Sequence, residues 1–230
     1  MLVGHIGAAM LAKQVEPRLS LGTAILASLL ADLLLFTFVL GGVEQVQFRS
    51  SAAAASPFVP ARVTFSHSLL MTVVWGAALA ALYAAARRRV EGAWIVVAVA
   101  SSHWVLDLIG HPVLPLAPRS PAYIGSVLSG WIQIVMVVEA VIWIGALVMY
   151  VRDSRSLNSA GRYVFWGGIT AWTYVWWANQ AGPPRRAEDA PIEMIIVLLM
   201  IVGWGYWMNR ARTTVAADHE PMPYAVPDAS

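Results

Sequence analysis

About six stretches of the chain are apolar for long enough to cross a lipid bilayer, and this constrains the fold more than any other feature. They run over roughly 19–40, 63–86, 92–112, 130–151, 162–179 and 191–208, each near the ~20 residues a spanning helix requires. In hydrocarbon the backbone has no water to bond, so such stretches close their amide bonds within helices. The expected fold is all-α: a polytopic membrane helical bundle of about six transmembrane helices. Composition agrees. Only 12% of the residues are charged and 59% are hydrophobic, whereas a soluble domain carries about a quarter charged.

The remaining segments are assigned around these spans. "MLVGHIGAAMLA", residues 1–12, is apolar but too short to cross, and Pro17 follows it as a breaker. It reads either as a half-helix tucked into the bundle or as a helix lying on the membrane surface. It has no basic leading region, so residues 1–20 are not read as a removable signal peptide. The linker 41–62, with "SSAAAASPFVP", is expected to be an irregular loop outside the membrane. Residues 1–212 then form a single transmembrane domain and 213–230 a mobile tail.

The basic residues orient the bundle. With both termini cytoplasmic, Lys13, Arg18, Arg87, Arg88, Arg89, Arg152, Arg155, Arg162, Arg210 and Arg212 lie inside, against Arg49, Arg62, Arg119, Arg185 and Arg186 outside. The expected location is the cell inner (plasma) membrane. The pI near 9.2 comes from these short loops, so no nucleic-acid partner is inferred.

"SSHWVLDLIGHP", residues 101–112, sets His103, Asp107 and His111 at i, i+4 and i+8 inside an apolar run. On one continuous helix these positions fan over only about 80°. Rise along the spans places Asp32, His67, His103, Asp107 and Glu139 in one layer, roughly 16–22 Å above the cytoplasmic end. His111 closes that layer, and a half-helix over 1–12 would bring His5 just beneath it.

Ionisable side chains inside a membrane cost about 2.5–3.5 kcal/mol each on insertion scales. A divalent metal ion, zinc by preference, gives several of them a common reason. With no cysteine in the chain, any metal must rest on imidazole and carboxylate. The rival is an unliganded network in which histidines donate to Asp32, Asp107 and Glu139. Glu139 reads either as a general base, a role also open to Asp107, or as an outer partner orienting a ligating histidine. Ser66, Ser68, Ser101 and Ser102 are read as hydrogen-bonding supports. His219, in the tail, is given no role.

The motifs "VGHIGAA", "SLLADLL", "FSHSLL" and "SHWVLDLIGHPVLPLAP" resemble, in order and over about half the chain, the predicted membrane-bound metal-dependent hydrolases of the YdjM type. That family is itself thought to be distantly similar to zinc-dependent phospholipases C. The resemblance implies His5, Asp32, His67, His103 and Asp107 as metal-site residues, with His111 as companion, and a hydrolase acting on phosphoesters. Many relatives carry a further histidine before "HSLL" and a second acid after the first-span aspartate. This chain has "PARVTFSHSLL" and "ADLLLF" there, so one or two metals are expected rather than more.

Three functions follow as expectations. The first is a hydrolase of phosphoester or lipid-linked substrates, with its metal site in the outer half of the bilayer. The second is a non-catalytic accessory subunit of a larger membrane complex derived from that family. Its partners would meet the tryptophan-rich fifth and sixth spans, "WTYVWWANQ" and "VGWGYWMNR", where Trp172, Trp176 and Trp204 otherwise read as bundle packing. The third, ion or proton transport, is disfavoured because neither a broken helix pair nor an internal repeat is evident in the sequence.

Overall fold

The computed structural model describes residues 1–48, 58–88, 90–181 and 190–214. The tail beyond Thr214, with His219, lies outside them, as do Arg49, Arg89, Arg185, Arg186 and most of the "SSAAAASPFVP" linker.

The chain is mostly helical. Its elements are α1 (Leu2–Val15), α2 (Leu21–Ser28), α3 (Leu30–Leu40), β1 (Gln45–Phe48), β2 (Phe58–Arg62), α4 (Leu69–Arg87), α5 (Ala93–Gly110), β3 (Leu114–Pro115), β4 (Tyr123–Ile124), α6 (Ile132–Arg152), β5 (Ser154–Ser156), α7 (Ser159–Ala181), α8 (Ala190–Ala211) and β6 (Arg212–Thr214). The strands form three small antiparallel ribbons, β1–β2, β3–β4 and β5–β6, outside the helices. The described ends of the linker over 41–62 thus pair as a ribbon, and the first residues after α8 are tied to the α6–α7 connection.

Among the described residues, four helices are long and apolar enough to cross a membrane: α4, α5, α6 and α8. The first apolar stretch is not one helix. It is divided at Leu29 into α2 and α3, bent by 53°, which makes it a broken span or a re-entrant segment. The expectation that no broken helix pair exists therefore fails. "ASLLAD" carries no proline or glycine to announce the break, so tertiary packing produces it. α7 is a 23-residue helix but is not among the helices apolar enough to count as a span.

α1 settles the choice left open for residues 1–12. Val3, Ile6, Ala9 and Met10 are fully buried, and the helix packs against α6, α2 and α5. It is a half-helix inside the bundle. Pro17 stops it two residues after its end. Around it, α4 pairs with α5, and α2 and α3 pack on α8. α2 and α8 approach closely at two glycines: a Cβ on Gly205 would lie 3.0 Å from the Cα of Gly22. Trp172, Trp176 and Trp204 are buried within the core cluster, as the packing reading expects, and the Trp204 indole donates to the carbonyl of Val164 at 3.1 Å.

Candidate metal centre

The polar side chains singled out in the sequence meet where several helices end. His5 lies in the first turns of α1, Asp32 in the first turn of α3, His67 just before α4 and Asp107 in the last turn of α5. Helix N-termini carry unpaired N–H groups and partial positive charge, which favour carboxylates nearby. Gly4 N–H, in the first turn of α1, donates to Glu139 Oε1 at 3.2 Å. Asp32 sits in the first turn of α3, where the helix dipole favours its charge.

The break at Leu29 has a direct consequence for His103. Ser28 is the last residue of α2, and the closing carbonyls of a helix lack the full set of intrahelical partners. The Ser28 carbonyl accepts from His103 Nδ1 at 2.7 Å. A carbonyl can only accept, so Nδ1 carries the hydrogen and Nε2 of a neutral ring presents its lone pair. That Nε2 stands 3.3 Å from His67 Nε2.

Two carboxylates flank the nitrogen pair. Asp32 Oδ1 is 3.4 Å from His67 Nε2 and 3.8 Å from His103 Nε2. Asp107 Oδ2 is 3.4 Å from His103 Nε2 and 3.8 Å from His67 Nε2. For comparison, ligand nitrogens about 2.0–2.1 Å from a tetrahedral zinc stand about 3.3–3.4 Å apart. Two groupings arise that share His103: Asp32 with His67 and His103, and His5 with His103 and Asp107. This buried His/Asp cluster could hold a metal ion. Its donor set, nitrogen and oxygen without thiolate, suits a borderline or hard divalent cation.

His5 enters from α1. Its ring stacks on that of His103, centroids 3.9 Å apart and planes 12° from parallel. Its Nε2 lies 3.1 Å from Asp107 Oδ1, which also receives the Met1 nitrogen at 2.9 Å. Its Nδ1 is buried and has no hydrogen-bond partner among the described residues.

Two expected residues sit differently from their sequence reading. His111 does not continue the i, i+4, i+8 stripe of a helix, because α5 ends at Gly110 and His111 is extended, at φ −115° and ψ 136°. Pro112 disfavours helical geometry in the residue before it. His111 donates through Nδ1 to the Asp107 carbonyl at 2.9 Å, so it borders the cluster but joins neither grouping. Glu139 is fully buried, and both its oxygens are engaged, Oε1 by Gly4 N–H and Oε2 by the Trp176 indole at 2.7 Å. It stands in neither grouping. It links α6 to α1 and α7 through Gly4 and Trp176, and its two hydrogen bonds reach no histidine.

One acidic residue escaped the sequence reading. α3 ends in a tight turn at Gly41–Gly42, with Gly42 at φ +70°, a conformation glycine adopts at little cost. The turn folds Glu44 back beneath the start of α4, where it is 1% exposed. Glu44 accepts from the backbone N–H groups of Phe65 and Ser66 at 2.7 and 3.0 Å and from the Ser66 hydroxyl at 2.5 Å. Ser66 Oγ is 2.9 Å from His67 Nδ1. The glycine pair of "LGGVE" after an apolar run was the available signal.

The cluster borders an open cavity of about 920 Å³, counting the space at its mouth. Asp32, His67, Asp107 and His111 face it, and apolar groups such as Leu35, Phe36 and Met194 form much of its walls. The cavity therefore reaches the donors.

A family model, the YdjM inner membrane protein, matches residues 1–182, and the chain belongs to that family. With its apolar helices, this makes it a multi-pass inner membrane protein. The match includes every candidate ligand and ends before α8. Comparison with curated proteins and with solved structures gives no match.

Proposed function

For this member of the YdjM inner membrane protein family, we propose a membrane-embedded metal-dependent hydrolase acting on phosphoester or lipid-linked substrates. Asp32, His67, His103 and Asp107 would hold a divalent ion, zinc by preference, with His5 and His111 beside them. The observation that carries this reading is the facing pair of imidazole nitrogens, 3.3 Å apart, with a carboxylate on either side and an open cavity beyond. Because His103 already donates through Nδ1, its neutral ring offers only a lone pair at Nε2, which can accept from His67 Nε2–H or face a cation. A cation between the rings satisfies the same geometry with both rings neutral.

Bound there, a divalent ion would supply Lewis-acid polarisation of the scissile ester and an activated water at neutral pH. The chain's own residues do the rest. The apolar cavity wall accepts a hydrocarbon chain. Asp32 and His111, which face the cavity, orient the water and the reacting ester. Glu139, occupied by Gly4 and Trp176, holds α1 in place, so the general base is assigned to Asp107 or Asp32 rather than to Glu139. The six-span arrangement completes the reading, with α2–α3 as one broken span, α7 as the fifth and both termini in the cytoplasm.

The bent α2–α3 pair favours a second reading, ion or proton movement past the buried acids and histidines. Purified protein in detergent separates the two. The hydrolase reading expects near-stoichiometric divalent metal by elemental analysis and chelator-sensitive cleavage of a lipid phosphoester, both lost in His103→Ala. Folded protein without metal above background ends it and leaves the accessory-subunit reading in its place. Ion flux in proteoliposomes without hydrolysis supports transport.

A further inference from the structure

We propose that Glu44 is a positioning residue for the metal centre, acting through Ser66 to choose which nitrogen of His67 carries the hydrogen. The proposal rests on the reading of His67 as a ligand.

The carboxylate of Glu44 is almost fully buried and meets three donors. Oε1 receives two backbone N–H groups, from Phe65 and Ser66, and Oε2 receives the Ser66 hydroxyl. A carboxylate only accepts, so the single hydroxyl hydrogen of Ser66 is committed to Glu44. Facing His67, Ser66 Oγ has only lone pairs left, and the 2.9 Å contact is then a bond donated by His67 Nδ1. The hydrogen is drawn to Nδ1 and the lone pair is left on Nε2, which faces Asp32, His103 and Asp107. His103 reaches the same state by a different route, through the Ser28 carbonyl. Partners of this kind orient metal-ligating histidines and typically change metal affinity by about 10–100-fold.

The isosteric change Glu44→Gln tests this, because a residue needed only for packing would tolerate it. The glutamine must place its carbonyl oxygen where Oε1 meets two N–H donors, since its amide nitrogen there would oppose them. Its NH₂ group therefore points at Ser66 Oγ and donates. The Ser66 hydroxyl hydrogen, no longer held by a carboxylate, then turns toward His67 Nδ1, which favours the hydrogen on Nε2 and withdraws the lone pair from the centre.

The experiment uses the full chain in detergent micelles with ¹⁵N-labelled histidine, stripped of metal by chelator and then titrated with zinc alone. In the stripped protein, His67 is expected to show a protonated Nδ1 and an unprotonated Nε2, and Glu44→Gln to reverse that assignment. Zinc affinity should fall about 100-fold in Glu44→Gln and about 10-fold in Ser66→Ala, which frees the ring without forcing the wrong tautomer. The same tautomer in wild type and Glu44→Gln overturns the proposal, as does unchanged zinc affinity in Glu44→Gln. Should Glu44→Gln not fold, Ser66→Ala decides: a mixed tautomer with weaker zinc binding supports the proposal, and unchanged behaviour overturns it. A reversed tautomer in a protein that binds no zinc in any form would uphold the role of Glu44 and defeat the hydrolase reading instead.

Discussion

The two halves of the bundle are built differently. From Met1 to His111 the chain sets short or interrupted helices beside two long ones: α1 has 14 residues, α2 has 8 and α3 has 11, against 19 in α4 and 18 in α5. From Ile132 onward α6, α7 and α8 run for 21, 23 and 22 residues. Every candidate ligand comes from the interrupted half, and most lie within a turn or two of a helix end. A continuous helix satisfies its own backbone and offers neighbours only side chains. A helix end leaves N–H or C=O groups that can fix a carboxylate or an imidazole in place. The Ser28 carbonyl on His103 and the Gly4 N–H on Glu139 are two such uses. Glu139, the one acid buried among the described residues of the continuous half, is correspondingly committed to holding another helix.

This contrast can be broken, and the largest effect is expected at the centre itself. Asp107→Asn keeps the shape but removes a charge that touches His5, His67 and His103. Bound metal and lipid phosphoester cleavage should both fall to background while the helical circular dichroism persists. Metal retained at wild-type stoichiometry would show that the interrupted half is not the binding half.

Next comes the acid of the continuous half. Glu139→Ala strands the buried N–H groups of Gly4 and Trp176 and should cost about 3 kcal/mol, taking roughly half of that for each hydrogen bond to a charged group. The expected signature is a lower unfolding midpoint in detergent with metal still bound. Loss of metal at unchanged stability would place Glu139 among the ligands instead.

The smallest effect is expected where α7 packs on α8, away from the cavity lining. Gly168 on α7 faces the Trp204 indole of α8 so closely that an added Cβ would press on the ring. Gly168→Ala should destabilise by about 1–2 kcal/mol through overpacking and leave zinc affinity and cleavage as they were. A change in zinc affinity without a change in stability would show the α7–α8 packing tuning the centre.

How much of this was legible in the sequence depends on whether the deciding signal was local. The apolar runs are local, so α5, α6 and α8 could be placed within a few residues, while α4 begins at Leu69, well inside the stretch expected from 63. The chemistry of "GHIG", "ADLL", "SHSLL" and "SHWVLD" is local too, so the histidines and aspartates now found together could be named beforehand. Pro112 was a readable signal that α5 stops before His111, and the regular four-residue spacing hid it.

Other features were decided in three dimensions. No residue in "ASLLAD" breaks a helix, yet α2 and α3 part at Leu29. The short α1 could equally have rested on the membrane surface, and it enters the bundle where α2, α5 and α6 surround it and Glu139 caps it. Glu44 looks like an ordinary loop acid until the Gly42 turn carries it beneath α4. The sequence alone determined which segments leave water and which side chains carry charge or lone pairs into them, because both follow from residue chemistry and helical period. Only the tertiary structure decided where the helices end and which backbone groups those ends present, because a buried carbonyl or amide is worth a helix break only when a specific partner from elsewhere in the chain arrives to meet it.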